Sequence, residues 1–316
     1  MGDLDVEVAL HLRAEHAEGP IWDAVSARLW WVDITGERVH CLDPLSGAAS
    51  SWPTHGQAGG VVIDTAGNPV VATPVGLAVL ERTTGSMTVC VSIEADRPEN
   101  RANDAKVDTC GRVWVGTMAF DKRPGNAALY RVDGATVTRV VDRLTISNGP
   151  AFDDAGGRLY LADTALGIVD VFDFNPTTGR LGTRRPFLDF GEAGVWPDGM
   201  TVDDDGMLWV ALGRAGAVHR YDSAARIDAV IELPTSNPTS VTFGGVDGGD
   251  LYITTSWFDL EPDDRLAEPF AGAIYRCRPG VTGPSTPRYR RPAASPALGT
   301  EAPADTAPAV PTKRPR

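Results

Sequence analysis

The chain has 316 residues, 42% of them hydrophobic, and a formal net charge of −13. That length can bury a sizeable core in one large domain or two small ones, no apolar run is long enough to span a bilayer, and the acidic balance argues against nucleic acid or an anionic membrane as the main partner. Met1-Gly2-Asp3-Leu4-Asp5 lacks the basic and apolar regions of a secretory leader, and Cys41, Cys90, Cys110 and Cys277 form no CxxC pair, so the expectation is a reducing cytoplasm with neither a disulfide framework nor a thiolate zinc site.

In chain order, one unit recurs: a polar turn, an apolar strand, an Asp-rich turn, a second apolar strand, and a third strand ending near an aspartate. It begins as Glu18-Gly19-Pro20-Ile21-Trp22-Asp23 followed by Arg28-Leu29-Trp30-Trp31-Val32-Asp33. It returns at Gly59-Gly60-Val61-Val62-Ile63-Asp64, at Asn103-Asp104-Ala105-Lys106-Val107-Asp108, at Ser147-Asn148-Gly149-Pro150-Ala151-Phe152-Asp153, at Pro197-Asp198-Gly199-Met200-Thr201-Val202-Asp203, and at Asn237-Pro238-Thr239-Ser240-Val241-Thr242-Phe243. The matching second-strand positions, Trp30, Val71, Trp114, Tyr160, Trp209 and Tyr252, lie roughly 41 to 49 residues apart. Short strands repeating at that spacing, with Gly and Asp at the turns, are the signature of propeller blades.

The expectation is an all-β, six-bladed β-propeller with a central channel, spanning residues 1–280. The alternating segment Val6-Glu7-Val8-Ala9-Leu10-His11 is expected to supply the outer strand of the last blade, which removes an open edge. Residues 281–316 are rich in Pro, Ala, Ser and Thr and end in a basic cluster. With few large apolar side chains to offset the entropy of ordering, this tail is expected to be disordered. Asp203, Asp204 and Asp205 read as a solvated turn rather than a second metal site. Nothing in the sequence speaks to oligomeric state.

In a propeller the turns leading into the innermost strands open at one end of the channel. The heads of the repeats, Glu18, Gly59, Asn103, Asn148, Asp198 and Asn237, therefore converge in space. Three of them place an oxygen ligand before glycine: Glu18, Asn148 and Asp198. Asp or Asn before Gly is common in turns for backbone reasons alone, but three at equivalent repeat positions around one channel form a coordination set. Two carboxylates and an amide oxygen suit Ca²⁺, Mg²⁺ or Mn²⁺, and also admit Zn²⁺ or Fe²⁺. No nucleophile elbow and no phosphate-binding glycine loop appears. His16 lies two residues before Glu18 and reads as peripheral.

These phrases, with Arg101-Ala102-Asn103-Asp104-Ala105-Lys106-Val107-Asp108, Gly116-Thr117-Met118 and Pro238-Thr239-Ser240-Val241-Thr242-Phe243-Gly244-Gly245, resemble the family of gluconolactonases, senescence marker protein (regucalcin) and luciferin-regenerating enzyme. The resemblance runs over roughly residues 8 to 278. It implies a single divalent metal ion held by Glu18, Asn148 and Asp198, with Asp198 also the catalytic proton acceptor and donor. It implies substrate contacts from Arg101 and Asn103, and from Asp121 if that side chain faces the pocket. Phe120-Asp121 stands where the family commonly has an acidic pair, and Leu212-Gly213 replaces a common Trp-Gly, which leaves substrate identity open.

The resulting expectation is a cytoplasmic, metal-dependent hydrolase that opens a sugar lactone, a small-molecule substrate, through activated water. The competing readings are a metal-dependent ester or phosphotriester hydrolase, a calcium-binding regulatory protein of the regucalcin type, and a propeller used as an interaction scaffold. A pure calcium binder or a scaffold has no need of Arg101 and Asn103 beside the three ligand candidates. The segment Phe120 to Asn126 is a candidate lid over the channel.

Overall fold

The structure is a computed structural model and describes residues 5–292. It contains six antiparallel sheets of four strands each. Five of these sheets follow chain order, from an innermost first strand to an outer fourth. The sixth is closed by the N-terminus: Glu7–Leu10 pairs with Ile274–Cys277 through Glu7 opposite Arg276 and Val8 opposite Tyr275. The last blade thus receives its outer strand from the opposite end of the chain.

The innermost strands are Ala17–Asp23, Gly60–Ile63, Asn100–Val107, Ser147–Asp153, Trp196–Val202 and Pro238–Gly244. Each packs against the innermost strands of the neighbouring blades, and the ring closes between the last and the first. Hydrophobic cores lie between blades. Val62, Val70 and Ala72 of the second blade meet Ala105, Val113 and Val115 of the third, and Trp114 and Leu129 of the third meet Leu159 and Phe172 of the fourth. Because both faces of a blade are covered, Leu29-Trp30-Trp31-Val32 is buried throughout rather than alternating, whereas the fourth strand Ala48–Pro53 is largely exposed.

The recurring aspartate of the first turn is structural. Asp64, Asp108 and Asp203 each accept backbone N–H groups two and four residues on, which closes the turn into the second strand. In the third and fifth blades the other oxygen binds the buried indole of the next strand, Trp114 Nε1 to Asp108 at 2.9 Å and Trp209 Nε1 to Asp203 at 2.8 Å. An arginine completes each group, Arg112 Nε at 2.6 Å and Arg220 Nε at 2.8 Å. Asp203 is therefore buried, not part of a solvated charge run; Asp204 and Asp205 occupy the outer side of the turn.

The expected boundary of the tail also moves. Residues 281–292 do not hang free but cross the end of the channel. Tyr289 is fully buried, donates its N–H to Ile63 O at 2.8 Å, and its carbonyl accepts from Thr65 N at 3.0 Å. Arg288 pairs with Asp23 at 2.5 Å and Arg291 with Asp64 at 3.0 Å. One aromatic anchor and free backbone groups beside the second blade are enough to order a segment whose composition reads as disordered. The rest of the expected tail lies outside the described residues. Among the described residues all four cysteines are free, and no helix is long and apolar enough to cross a membrane.

Candidate active site

The site is built on one backbone irregularity repeated around the ring. Strand register shifts between Glu18 and Ile21, between Ala102 and Asp104, between Asn148 and Ala151, between Pro197 and Met200, and between Pro238 and Ser240. A bulge of this kind re-aims the side chains beside it, so Glu18, Asn103, Asn148 and Asp198 turn from four blades toward the channel. The glycines after the ligand candidates are required there for two different reasons. Gly149 sits at φ +84°, which L side chains rarely adopt, whereas Gly199 has ordinary dihedrals but any Cβ would overlap Ser240.

Glu18 is buried, and its Oε2 accepts the N–H of Gly19 while Oε1 has no hydrogen-bond partner. The Glu18 and Asp198 carboxyls line the same cavity, close enough for each to shift the other's proton affinity. Burial holds Glu18 well above the usual carboxylate range, and the charges of Asp198 and Asp104 add to it. Burial also raises Asp198, as does Asp104, against the lowering effect of Glu18. Two desolvated carboxylates in one cavity repel each other in the ionised state.

Asn148 is oriented from both sides. Its Oδ1 accepts from Asn103 Nδ2 at 2.8 Å, and its Nδ2 donates to Thr164 Oγ1 at 2.7 Å. Thr164 in turn donates to Pro197 O at 2.6 Å, next to Asp198. Asp104 lies behind the group, with Oδ2 accepting the N–H of Gly149 at 3.0 Å. Arg101 is buried, and its Nη1 donates to Ala102 O at 2.8 Å and Asn103 Oδ1 at 3.0 Å. Burial lowers Arg101 to about 10, partly offset by Glu18 and Asp198.

These residues open on a cavity of 200 Å³. Glu18, Arg101, Asn103, Asn148 and Asp198 all line it, so five of the sequence candidates meet at one place. Asp121 does not. It faces outward on the turn after the strand Val113–Ala119, pairs with Arg123 at 3.2 Å, and leaves Phe120 and Lys122 to line the cavity. The expected substrate contact from Asp121 is corrected accordingly: it is the third residue of the turn closed by Lys122 N to Ala119 O at 3.0 Å, exposed and paired with Arg123 outside the cavity. Asn237 is likewise outside; its side chain accepts from Arg214 N at 3.1 Å, and Thr239 occupies the bulge position of the sixth blade.

Sequence reasoning missed Thr164, Trp196 and Phe258, and it set aside His16, all of which line the cavity. His16 was detectable, because it stands two residues before Glu18, the spacing at which side chains of extended backbone share a side. Ser256 Oγ donates to Glu15 O, so His16 Nδ1 donates to Ser256 Oγ at 3.1 Å, and burial, then the charges of Arg101 and Lys122, lower the ring to about 3. It is a neutral imidazole at the cavity wall. Thr164 and Phe258 come from inter-strand connections that carry no repeat signal.

A divalent cation suits this donor set. Glu18 Oε1 is a buried oxygen without a partner, the neighbouring carboxylate repels it, and the third candidate is a neutral oxygen held in place by two hydrogen bonds. Among the described residues no group of three His, Cys, Asp or Glu side chains is arranged to hold a metal ion, so the mixed carboxylate and amide set is the candidate.

Residues 16–257 match the model of the SMP-30/Gluconolactonase/LRE-like region. Regucalcin of Danio rerio is 33% identical over 90% of this chain and 96% of its own length. A chain of Bacillus subtilis (strain 168) described as a candidate sugar lactone lactonase is 30% identical over 86% of this chain and 94% of its own. Among solved structures, a calcium-binding protein, regucalcin, from Agrobacterium tumefaciens superimposes with TM-score 0.87 at 27% identity, covering 91% of this chain and 98% of that one.

Proposed function

The chain belongs to the SMP-30/gluconolactonase/LRE-like family, and from that premise we propose that it is a metal-dependent hydrolase opening a sugar lactone to the aldonic acid. The observation that carries the reading is the meeting of Glu18, Asn148 and Asp198 with Arg101 and Asn103 in one cavity. A metal-binding module needs the first three alone.

Glu18, Asn148 and Asp198 would hold one divalent ion of Ca, Zn, Mg, Mn or Fe, which when bound supplies Lewis-acid polarisation and a lowered water pKa. Arg101 and Asn103 bind and orient the sugar hydroxyls, and such positioning contributes several kcal/mol to barrier reduction. Asp198 takes a proton from the attacking water as its oxygen bonds to the lactone carbonyl carbon. The bond from that carbon to the ring oxygen then breaks, and Asp198 returns the proton to the departing ring oxygen. A carboxylate that also ligates a cation is a weak base, so the lowered water pKa that the ion would supply carries much of this proton transfer.

The test is hydrolysis of glucono-, galactono-, arabino- and xylono-lactones by metal-stripped protein. Each ion is added back singly, with Asp198→Ala alongside and spontaneous opening subtracted by pH-stat. Metal-restored turnover that disappears in the variant supports the reading. Metal binding without turnover of any lactone favours the second reading, a calcium-binding protein of the kind the regucalcin relatives are named for.

A further inference from the structure

We propose that the lactone taken by this cavity carries an anionic substituent, a carboxylate or a phosphate, held at the mouth by Lys122 together with Arg101. This rests on the lactonase reading and narrows its substrate class.

The argument begins with the turn after the strand Val113–Ala119. Phe120 N donates to Glu99 O at 2.9 Å and Lys122 N to Ala119 O at 3.0 Å, which fixes the backbone on the cavity rim. Further along, Asn126 is held by side-chain contacts with Arg97 and Asn100. Lys122 adopts φ +55°, an unfavourable conformation for lysine that the turn imposes. In this conformation the acid of the turn, Asp121, points to solvent and is paired with Arg123, while the lysine lines the cavity. Among the described residues the Lys122 ammonium makes no ion pair and no hydrogen bond, the residue's backbone N–H alone being engaged.

Arg101 adds a second incompletely used cation. Both of its hydrogen bonds leave from Nη1 and end on neutral oxygens. A guanidinium has five N–H donors, so Nε and Nη2 keep theirs without a protein acceptor among the described residues. That fork matches a carboxylate or phosphate better than a single hydroxyl. Arg101 and Lys122 share one space, since both line the same cavity together with His16.

The acids of the cavity are otherwise engaged or opposed. Glu18 and Asp198 belong to the ligand set for a divalent ion. Among the described residues Asp259, exposed on the rim, is the one remaining negative side chain that lines the cavity. Two cations facing one exposed acid leave a positive mouth above a floor whose charge a divalent ion would offset. A neutral polyhydroxy lactone uses these side chains as hydroxyl donors but leaves their two positive charges unmatched. A lactone with a terminal anion uses both.

The test measures kcat/KM on the metal-loaded full chain for glucono-1,5-lactone, for its 6-phosphate, and for the 1,5-lactone bearing a carboxylate at C6. One or both charged lactones are expected to exceed the neutral one by at least about ten-fold at low salt, and the ratio to shrink as salt screens the contact. The phosphate and carboxylate arms distinguish the two sources of charge. Lys122→Gln is expected to cut this ratio several-fold through KM rather than kcat, Lys122→Glu to invert it, and Asp259→Asn to enlarge it. Equal kcat/KM on charged and neutral lactones, or a preference that Lys122→Glu leaves unchanged, overturns the proposal while leaving the lactonase reading intact. Turnover of none of the lactones overturns both.

Discussion

Asn103 Nδ2 donates to Asn148 Oδ1 across the boundary of the third and fourth blades at 2.8 Å. A candidate substrate contact therefore orients a candidate metal ligand, and Thr164 holds the same amide from its other side at 2.7 Å. In the proposed site, metal affinity and substrate positioning would be coupled through one side chain.

The first prediction follows from that coupling. Thr164→Val keeps the volume but removes the hydroxyl that receives Asn148 Nδ2 and donates to Pro197 O. Loss of an outer partner of this kind weakens metal affinity by roughly 10- to 100-fold. Titration of the stripped protein with each ion measures it directly; unchanged affinity would show that Asn148 is fixed without Thr164.

A second prediction uses stability instead of turnover. An ion that binds the folded chain alone stabilises it by about 2.7 kcal/mol at a concentration 100 times Kd. Adding the preferred ion to stripped protein should raise Tm, and Glu18→Gln should abolish the rise. The variant alone should match or exceed the stripped wild type in Tm, because it removes the charge repulsion between Glu18 and Asp198. A variant that keeps the full metal-dependent rise would place the ion elsewhere.

His40 predicts a pH dependence independent of the site. It is buried, stacks on Trp31 at 5.1 Å, and its Nε2 has no partner. Burial lowers its pKa from 6.5 to about 4. The unfolded chain thus binds more protons between these values, so the stability His40 contributes is full above about 6.5 and is lost as pH falls toward 4. The full window corresponds to about 3 kcal/mol at 1.36 kcal/mol per pH unit. Urea unfolding of His40→Phe against wild type across that range should show a flatter slope in the variant. Parallel slopes would assign the acid sensitivity to other groups.

Tyr289 supplies the test of the C-terminal strap. Its ring is fully buried with Val62 and Val107, and its hydroxyl donates to Gly134 O at 2.9 Å. Tyr289→Ala is expected to cost roughly 3 kcal/mol or more, as other large aromatic truncations in cores do. A chain ending at Gly280 should lose at least as much in chemical denaturation. Wild-type stability in either would mean that the strap rests on the propeller without bracing it.

The propeller was legible in the sequence because its signal is redundant. Six copies of one strand-turn unit, with Trp, Tyr or Val at the same second-strand position, need only be counted. The ring closure was legible in Val6-Glu7-Val8-Ala9-Leu10-His11 for the same reason, since an alternating strand with no partner of its own implies a missing edge. Likewise the convergence of Glu18, Asn148 and Asp198 follows from repeat position, as equivalent residues of successive blades face one channel.

The sequence by itself therefore determined what periodicity encodes: the blades, their order, and the heads that turn inward. Only the tertiary structure decided what depends on a single turn or contact. Asp121 and Lys122 are neighbours in the chain, and only the closed turn at Ala119 sends the acid to solvent and the lysine to the cavity. Thr164 becomes part of the site by crossing to Pro197 of the next blade, and Tyr289 orders a Pro-rich segment by entering a core formed by two other blades. Periodic features are repeated, so each copy supports the others; a unique contact leaves one residue in the sequence, and its partner is chosen by packing alone.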